Sequence, residues 1–471
     1  MRRTQINFAD KIRDWDGFGI NYVEAAQTRD YQADPQEYGG FSTLSEAERQ
    51  EILDLTFGDD GLKPGVVKMF LDSFHQDEPG PDYDWSPDTI DPNAYDHDTT
   101  TEWMRYFVRG GLERTRARGD DLEIIVTLYG PPAWTTLQRI VRGRDLDPDR
   151  KYEAAKYVIA WAKHLRENEG FPVKYVGLHN EGEDWMRWPP DGMHAGPNHD
   201  YNMYWPPEQV VDFCRFMRSM LDAQGLRDVG IAPGETSNWY RFYEWGYADA
   251  LAEDAEAIQN LGLITSHGFY GTNPRWYGDW RSAGIDTIRA KRPDLHAWVT
   301  STSWSKMDAL FIWEMHNNIY SAKVNAIIPW AAVQWSGKWV GGDPNPGTAF
   351  RVVPEGGTYT VEPGYYYYKQ VCRAGQPGMA VARVISNDSQ ITLIAFASNG
   401  TKHPDAFVVI NISDEATNLA IQVQGTAART FQAYRTSSSE NYISLGSKTQ
   451  DNSGVIAYQA PAGSVTTFYA C

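Results

Sequence analysis

Cysteine is nearly absent from this chain. Cys214, Cys372 and Cys471 are the only three in 471 residues. An odd, sparse set gives no disulfide framework and no metal-ligand spacing, although Cys372 and Cys471 could pair. Long apolar runs are also missing. No stretch of about 20 apolar residues occurs, so no membrane-spanning helix is expected. The first residues, from Met1 to Phe8, carry no apolar leader region. The chain is therefore expected to be cytoplasmic, or to begin after a removed secretion signal. Positive charge is scarce, with 43 Lys and Arg against 62 Asp and Glu and a net charge of −19. A polyanion would be repelled and no basic cluster offsets this, so no nucleic-acid partner is expected. No glycine-rich loop follows a strand as a phosphate cradle, and Asp16-Gly17-Phe18-Gly19 is not a nucleotide fingerprint. Neither a cofactor nor a metal is expected.

Aromatic residues, by contrast, are plentiful. Many of the 18 Trp and 27 Tyr fall in apparent loops, among them Trp185, Trp188, Tyr204, Trp205, Trp239, Tyr240, Trp276 and Trp280. Ring faces in such places either fill the interior of long loops or stack on the C–H faces of sugars.

From about Asp16 to Trp339, short apolar runs alternate with amphipathic stretches, which argues a parallel sheet with helices outside it. Eight strands are predicted: Gly17–Asn21, Val66–Leu71, Leu122–Tyr129, Val173–Glu181, Val229–Glu235, Leu263–Tyr270, Ala297–Ser301 and Ala326–Trp330. Helices are predicted over Thr101–Arg118, Tyr152–Arg166, Pro207–Leu221 and Ala309–Ala322. Eight such units close into one (β/α)8 barrel. After about residue 350, Gly, Ser, Thr and Asn rise and short alternating strands follow one another. These include Tyr359–Val361, Val381–Ile385, Ile391–Phe396, Phe407–Ile412, Leu419–Val423, Thr430–Arg435 and Val465–Tyr469. That spacing is that of a β-sandwich, to which Thr4–Phe8 adds a strand. The expected division is a segment 1–14 joining the sandwich, a barrel 15–348 and a sandwich 349–471.

The fourth strand ends in Asn180-Glu181. A carboxylate at the C-terminal tip of a barrel strand is where this fold keeps its chemistry. With Asp16-Gly17-Phe18-Gly19, Pro131-Pro132-Ala133-Trp134, Ser266-His267-Gly268-Phe269-Tyr270-Gly271 and Gly364 to Gln370 in the same order, the chain resembles retaining glycoside hydrolases of families 30 and 59. Those are the glucocerebrosidase, galactocerebrosidase and xylanase relatives. The resemblance spans nearly the whole length. It implies a barrel with a sandwich built from both chain ends, a carbohydrate substrate, no cofactor, an extracellular setting and a monomer.

It also implies two carboxyl groups about 5–5.5 Å apart, one as acid/base and one as nucleophile. Glu181 matches the acid/base, with a pKa raised by its partner and by apolar surroundings. Asn180 matches the contact to the sugar 2-hydroxyl. Position 301, after Trp298-Val299-Thr300, should hold the nucleophile, yet the residue is Ser301. A serine hydroxyl is far too basic for that role without a general base. The chain then reads as a hydrolase with its nucleophile replaced, as a non-catalytic carbohydrate-binding barrel, or as an enzyme in which Glu235 or Glu314 substitutes. Glu235, ending the fifth strand, is expected as a substrate contact, and Glu314 as a solvent-facing helix residue. The pocket wall is expected from Asp72 and His75, Tyr129 and Trp134, His267 and Tyr270, and Trp330 and Trp335. The Trp-rich insert from Glu183 to Trp205 should cap the site. His179 stands where an aromatic residue often precedes Asn-Glu, which would alter the sugar subsite.

Overall fold

The computed structural model describes residues 2–24, 40–193, 202–269, 281–335, 347–353 and 357–471. Its first strand, β1 (Arg2–Asp14), belongs to the sandwich. The next eight form a parallel sheet: β2 (Gly17–Asn21), β3 (Val66–Leu71), β4 (Glu123–Leu128), β5 (Val173–Gly177), β6 (Gly230–Ala232), β7 (Ile264–Ser266), β8 (Ala297–Thr302) and β9 (Ala326–Pro329). Neighbours run in the order β6-β5-β4-β3-β2-β9-β8-β7. Parallel bridges Ile231–Leu261 and Thr236–Ser266 join the two edges. The result is the (β/α)8 barrel expected from the sequence, each strand falling within or beside its predicted run.

Alternation along the strands decides what fills the barrel. Val66, Ile125, Tyr175, Ala232, Leu263, Trp298, Ala326 and Ile328 form one separate apolar cluster. Two residues further along β3 and β4, on the same faces, stand Lys68 and Thr127. A polar layer thus lies directly above an apolar plug. The other strand faces pack outward on helices such as Lys151–Glu167 and Pro207–Ala223, whose Val158, Ile159, Val210 and Met217 are buried.

A nine-stranded sheet forms from β1 and the strands after residue 379. β1 lies between Ala380–Ser386, antiparallel, and Thr417–Gln424, parallel. The sheet folds over its own core of Ile6, Phe8, Leu393, Phe407, Ile421 and Phe468, with Tyr458 meeting Phe468 edge-on at 5.2 Å. Two of its strands, Glu440–Thr449 and Val455–Ala460, were not expected from the sequence. The Tyr359–Val361 run, expected in the sandwich, instead lies in a three-stranded sheet with Val333–Gln334 and Phe350–Val353. The Tyr-rich stretch after Gly364 is a helix, Pro363–Ala374, which ties the two parts together. Its Tyr368 donates to Gly19 O at 2.6 Å in the barrel, and Gln370 donates to Thr436 at 2.9 Å in the sandwich. Cys372 is buried, Cys471 is exposed and both are free, so the possible pair does not form.

Candidate active site

The polar layer gathers on β3 and β4 and just beyond the ends of β5, β6 and β7. Lys68, wholly buried, hydrogen-bonds Asn180 Oδ1 at 3.1 Å and forms an ion pair with Glu235. Thr127 donates to the other Glu235 oxygen at 2.5 Å. His267, one residue past β7, places Nε2 3.0 Å from Glu235 Oε2 and 3.1 Å from Asn180 Oδ1. Its Nδ1 lies 2.8 Å from Glu181 Oε1. Both ring nitrogens therefore face carboxylates, and an imidazole can serve both only as the doubly protonated cation.

Glu181 sits where the backbone turns sharply, with φ of 53°, a left-handed conformation unusual for glutamate. The turn is held by Glu181 N donating to Glu235 O at 2.7 Å, and by Glu235 N donating to His179 O at 2.9 Å. The second carboxylate oxygen of Glu181 accepts from Arg187 at 3.0 Å. Arg187 belongs to the insert expected to cap the site, and another insert residue, Asn202, donates to Asn180 O at 2.7 Å. Of the carboxylates in the network, Glu181 is the one that opens outward: its side chain is 18% exposed, against 0% for Glu235.

These contacts set the charges. Burial alone would push Glu181 up, but the hydrogen bond and charge of His267, and then Arg187, outweigh it and hold the carboxyl well below its ordinary range. This corrects the expectation of a raised value. Two basic groups, His267 and Arg187, attract it. Burial likewise works against Glu235, yet the charge of Lys68 and the His267 hydrogen bond bring it down to about 2. His267 is lowered by burial and raised more strongly by Glu181 and Glu235, for a net upward shift.

Ser301 lies in β8 and is 3% exposed. The strand bulges here. Val299 pairs with Ile327 but Thr302 pairs with Pro329, setting three residues against two. Thr300, beside it, donates to Ser266 O at 3.3 Å, so Ser301 borders the strand that delivers His267. Trp330 N donates to Thr302 O on the other side. Trp330 meets Phe70 at 5.1 Å and Tyr129 at 6.5 Å, and Lys68 lies 4.4 Å over the Phe70 ring. An aromatic wall thus adjoins the charged network.

Other expected site residues stand elsewhere. Glu235 is not free to touch a substrate, since it is wholly buried with both oxygens engaged. Asp72 accepts from Phe74 N, His75 and Thr100 at 2.8, 3.0 and 2.6 Å, and His75 continues to His97 at 2.9 Å. That is a closed structural network rather than a pocket wall. Trp134 donates to Gln76 O at 3.3 Å, turning toward the loop after β3. Trp335 packs half-buried against the main core. His179 is wholly buried against Trp205 and lowered to about 4 by desolvation, so it touches no sugar subsite. Glu314 is not solvent-facing either: its side chain is 21% exposed, 3.9 Å from Arg281 and raised by burial. Tyr270, Trp276 and Trp280 lie outside the described residues.

Sequence reasoning missed Lys68, Thr127 and Arg187. Lys68 carried a signal: a charged residue inside the apolar run Val66–Leu71, with a barrel-facing spacing from Val66.

No family model and no curated protein matches the chain. Solved structures do. A GH30 endoxylanase from Clostridium papyrosolvens C71 is 17% identical over 99% of both chains, with a TM-score of 0.68. The catalytic domain of GH30 xylanase C from Talaromyces cellulolyticus is 16% identical over 100% of both, at 0.71. An endo-β1,6-glucanase is 18% identical over 99% of this chain and 94% of its own, at 0.70. At these identities the likeness establishes the fold, which is that of glycoside hydrolase family 30.

Proposed function

We propose that this chain is a retaining β-glycoside hydrolase in design, with 15–348 as its catalytic unit and its nucleophile position occupied by Ser301. The observation that carries the reading is Glu181: a partly exposed carboxylate at a strained strand end, 2.8 Å from His267 Nδ1. Fold alone would not assign chemistry. In a barrel whose relatives include xylanases and a glucanase, however, such a group suits proton transfer to a departing glycosidic oxygen. The proton on His267 Nδ1 stands one hydrogen bond from Glu181. Movement of that proton as substrate displaces Arg187 or water would make Glu181 the acid. Lys68 and Glu235 hold His267 in place and need not touch the sugar. The substrate is a β-linked oligo- or polysaccharide or glycoconjugate, and an extracellular monomer is the setting this reading implies.

Position 301 holds a serine, so it supplies no carboxylate to attack the anomeric carbon. Ser301→Glu supplies one, and hydrolysis of an aryl β-glycoside panel should rise by roughly three orders of magnitude or more, with retained configuration. Inverted product, or no gain on any sugar, would count against position 301.

A second reading is a carbohydrate-binding barrel without catalysis. Ser301 and the low pKa of Glu181 both favour it, since a carboxyl that stays ionised donates no proton. The two readings part on Ser301→Glu: a binding barrel gains no turnover.

A further inference from the structure

The insert that carries Arg187 is docked on the loop that follows β6, and two of its side chains meet there at one hydroxyl. Glu183, its side chain 0% exposed, accepts through Oε1 from Ser237 N at 2.9 Å, from Ser237 Oγ at 2.7 Å and from Arg241 Nη1 at 2.9 Å. Arg187 Nη2 donates to Ser237 Oγ at 3.4 Å and to Glu181 Oε2 at 3.0 Å, while its Nη1 donates to Glu181 O at 3.2 Å. Asp184, between them in sequence, lies 3.4 Å from the Arg241 guanidinium. The loop itself is fixed to its neighbours. Thr236 O accepts from His267 N at 2.8 Å and Ser237 O accepts from Phe269 N at 3.2 Å. Asn238 caps the helix Trp239–Glu244 by accepting from Arg241 N at 2.8 Å.

A serine hydroxyl has one proton to give and two lone pairs to offer. Glu183 Oε1 already accepts from two N–H groups, so it accepts from Ser237 as well and takes that proton. The lone pairs of Ser237 Oγ are then left for Arg187 and for Arg241, the latter also at 3.4 Å. We propose that Ser237 is the positioning residue that holds Arg187 against Glu181, its hydroxyl oriented by the buried Glu183. The inference rests on reading Glu181 as the acid/base. An arginine side chain loses much conformational freedom when held in one geometry, and that of Arg187 is 24% exposed. A second anchor on a fixed loop keeps the guanidinium between two rigid points, the turn at Glu181 and the loop after β6. The other oxygen of Glu181 faces His267, behind which stand Glu235 and Lys68, and a change of the side chain at 237 removes none of these.

The test follows Arg187 directly, by nitrogen-15 relaxation of its Nε–H group in the full chain labelled at arginine, with the resonance assigned by its loss in Arg187→Met. Ser237→Ala should let the order parameter fall below about 0.6, the range of a flexible group. Ser237→Thr keeps a hydroxyl and should hold the parent value. The second readout is the pH–rate profile in a Ser301→Glu background. There Ser237→Ala should move the alkaline limb upward as Arg187→Met does, because Glu181 loses the same cation, and should add nothing once Arg187 is gone. An Arg187 as ordered in Ser237→Ala as in the parent overturns the proposal, and so does an equal loss of order in Ser237→Thr. If Arg187 is released by Ser237→Ala while the pH–rate profile stays where it was, or no turnover appears in the Ser301→Glu background, the positioning role stands and the acid/base reading is the one that fails.

Discussion

Lys68 and Glu235 form an ion pair from which solvent is excluded entirely, each side chain being 0% exposed. Such a pair adds little net stability over an apolar replacement, because desolvation offsets the attraction. Removing one partner is different, since it strands the other charge. Lys68→Met should destabilise the fold by about 3–5 kcal/mol. The double change Lys68→Met with Glu235→Leu should recover much of that loss. Denaturant unfolding of the two single variants and the double variant measures the coupling. Additive losses would mean that the pair is not the buried unit described.

His267 and Glu235 give stability opposite dependences on pH. The contribution of His267 is complete below its ordinary value of 6.5 and is lost as pH rises through its higher folded value. That of Glu235 is complete above its ordinary value of 4.5 and is lost as pH falls toward about 2. The network should therefore be firmest between about pH 4.5 and 6.5. His267→Gln should flatten the alkaline side of the melting-temperature profile and leave most of the acid side. An unchanged alkaline side would show that His267 is neutral in the folded chain.

Arg187 holds Glu181 ionised, so its loss should ease protonation. In a Ser301→Glu background, Arg187→Met should move the alkaline limb of the pH–rate profile upward, because the acid then keeps its proton to higher pH. Glu181→Gln in the same background should lose most activity on substrates with basic leaving groups and much less on activated aryl glycosides. Equal losses on both classes would demote Glu181 to a binding residue.

With Ser301 in place, the chain should bind an oligosaccharide without turning it over. Loss of an attacking group slows chemistry far more than it weakens ground-state binding. Calorimetry paired with product analysis checks this. Rapid hydrolysis would mean that another residue is the nucleophile.

Much of the scaffold was legible in the sequence. Val66–Leu71 and Ala297–Ser301 read as buried strands because each opens on an apolar or β-branched run, and Glu181 stood out as a charge at the end of such a run. Less legible was whatever depends on contacts between distant segments. Glu235 reads as reaching the pocket, but only the fold shows Lys68 and Thr127 closing over it. Asp72 looks equally exposed until His75 and Thr100 are brought against it. Glu440–Thr449 escaped notice because it is a polar, largely exposed strand with Gly446 inside it, so it lacks the alternation that marks a half-buried strand. The pKa of Glu181 was misjudged for the same reason: only the fold brings His267, and then Arg187 from the insert, against its carboxylate.

The most direct measurement is chemical rescue of the chain as it stands. Serine leaves space where a glutamate side chain would reach, and azide can enter such a space. Dinitrophenyl β-glycosides need little help from an acid, so attack becomes the decisive step. With azide present, the chain should release dinitrophenol faster and form the α-glycosyl azide, identified by NMR, because attack comes from the face that Ser301 leaves open. A β-glycosyl azide, or no acceleration with any sugar on the panel, would contradict the assignment of Ser301 as the vacant nucleophile position.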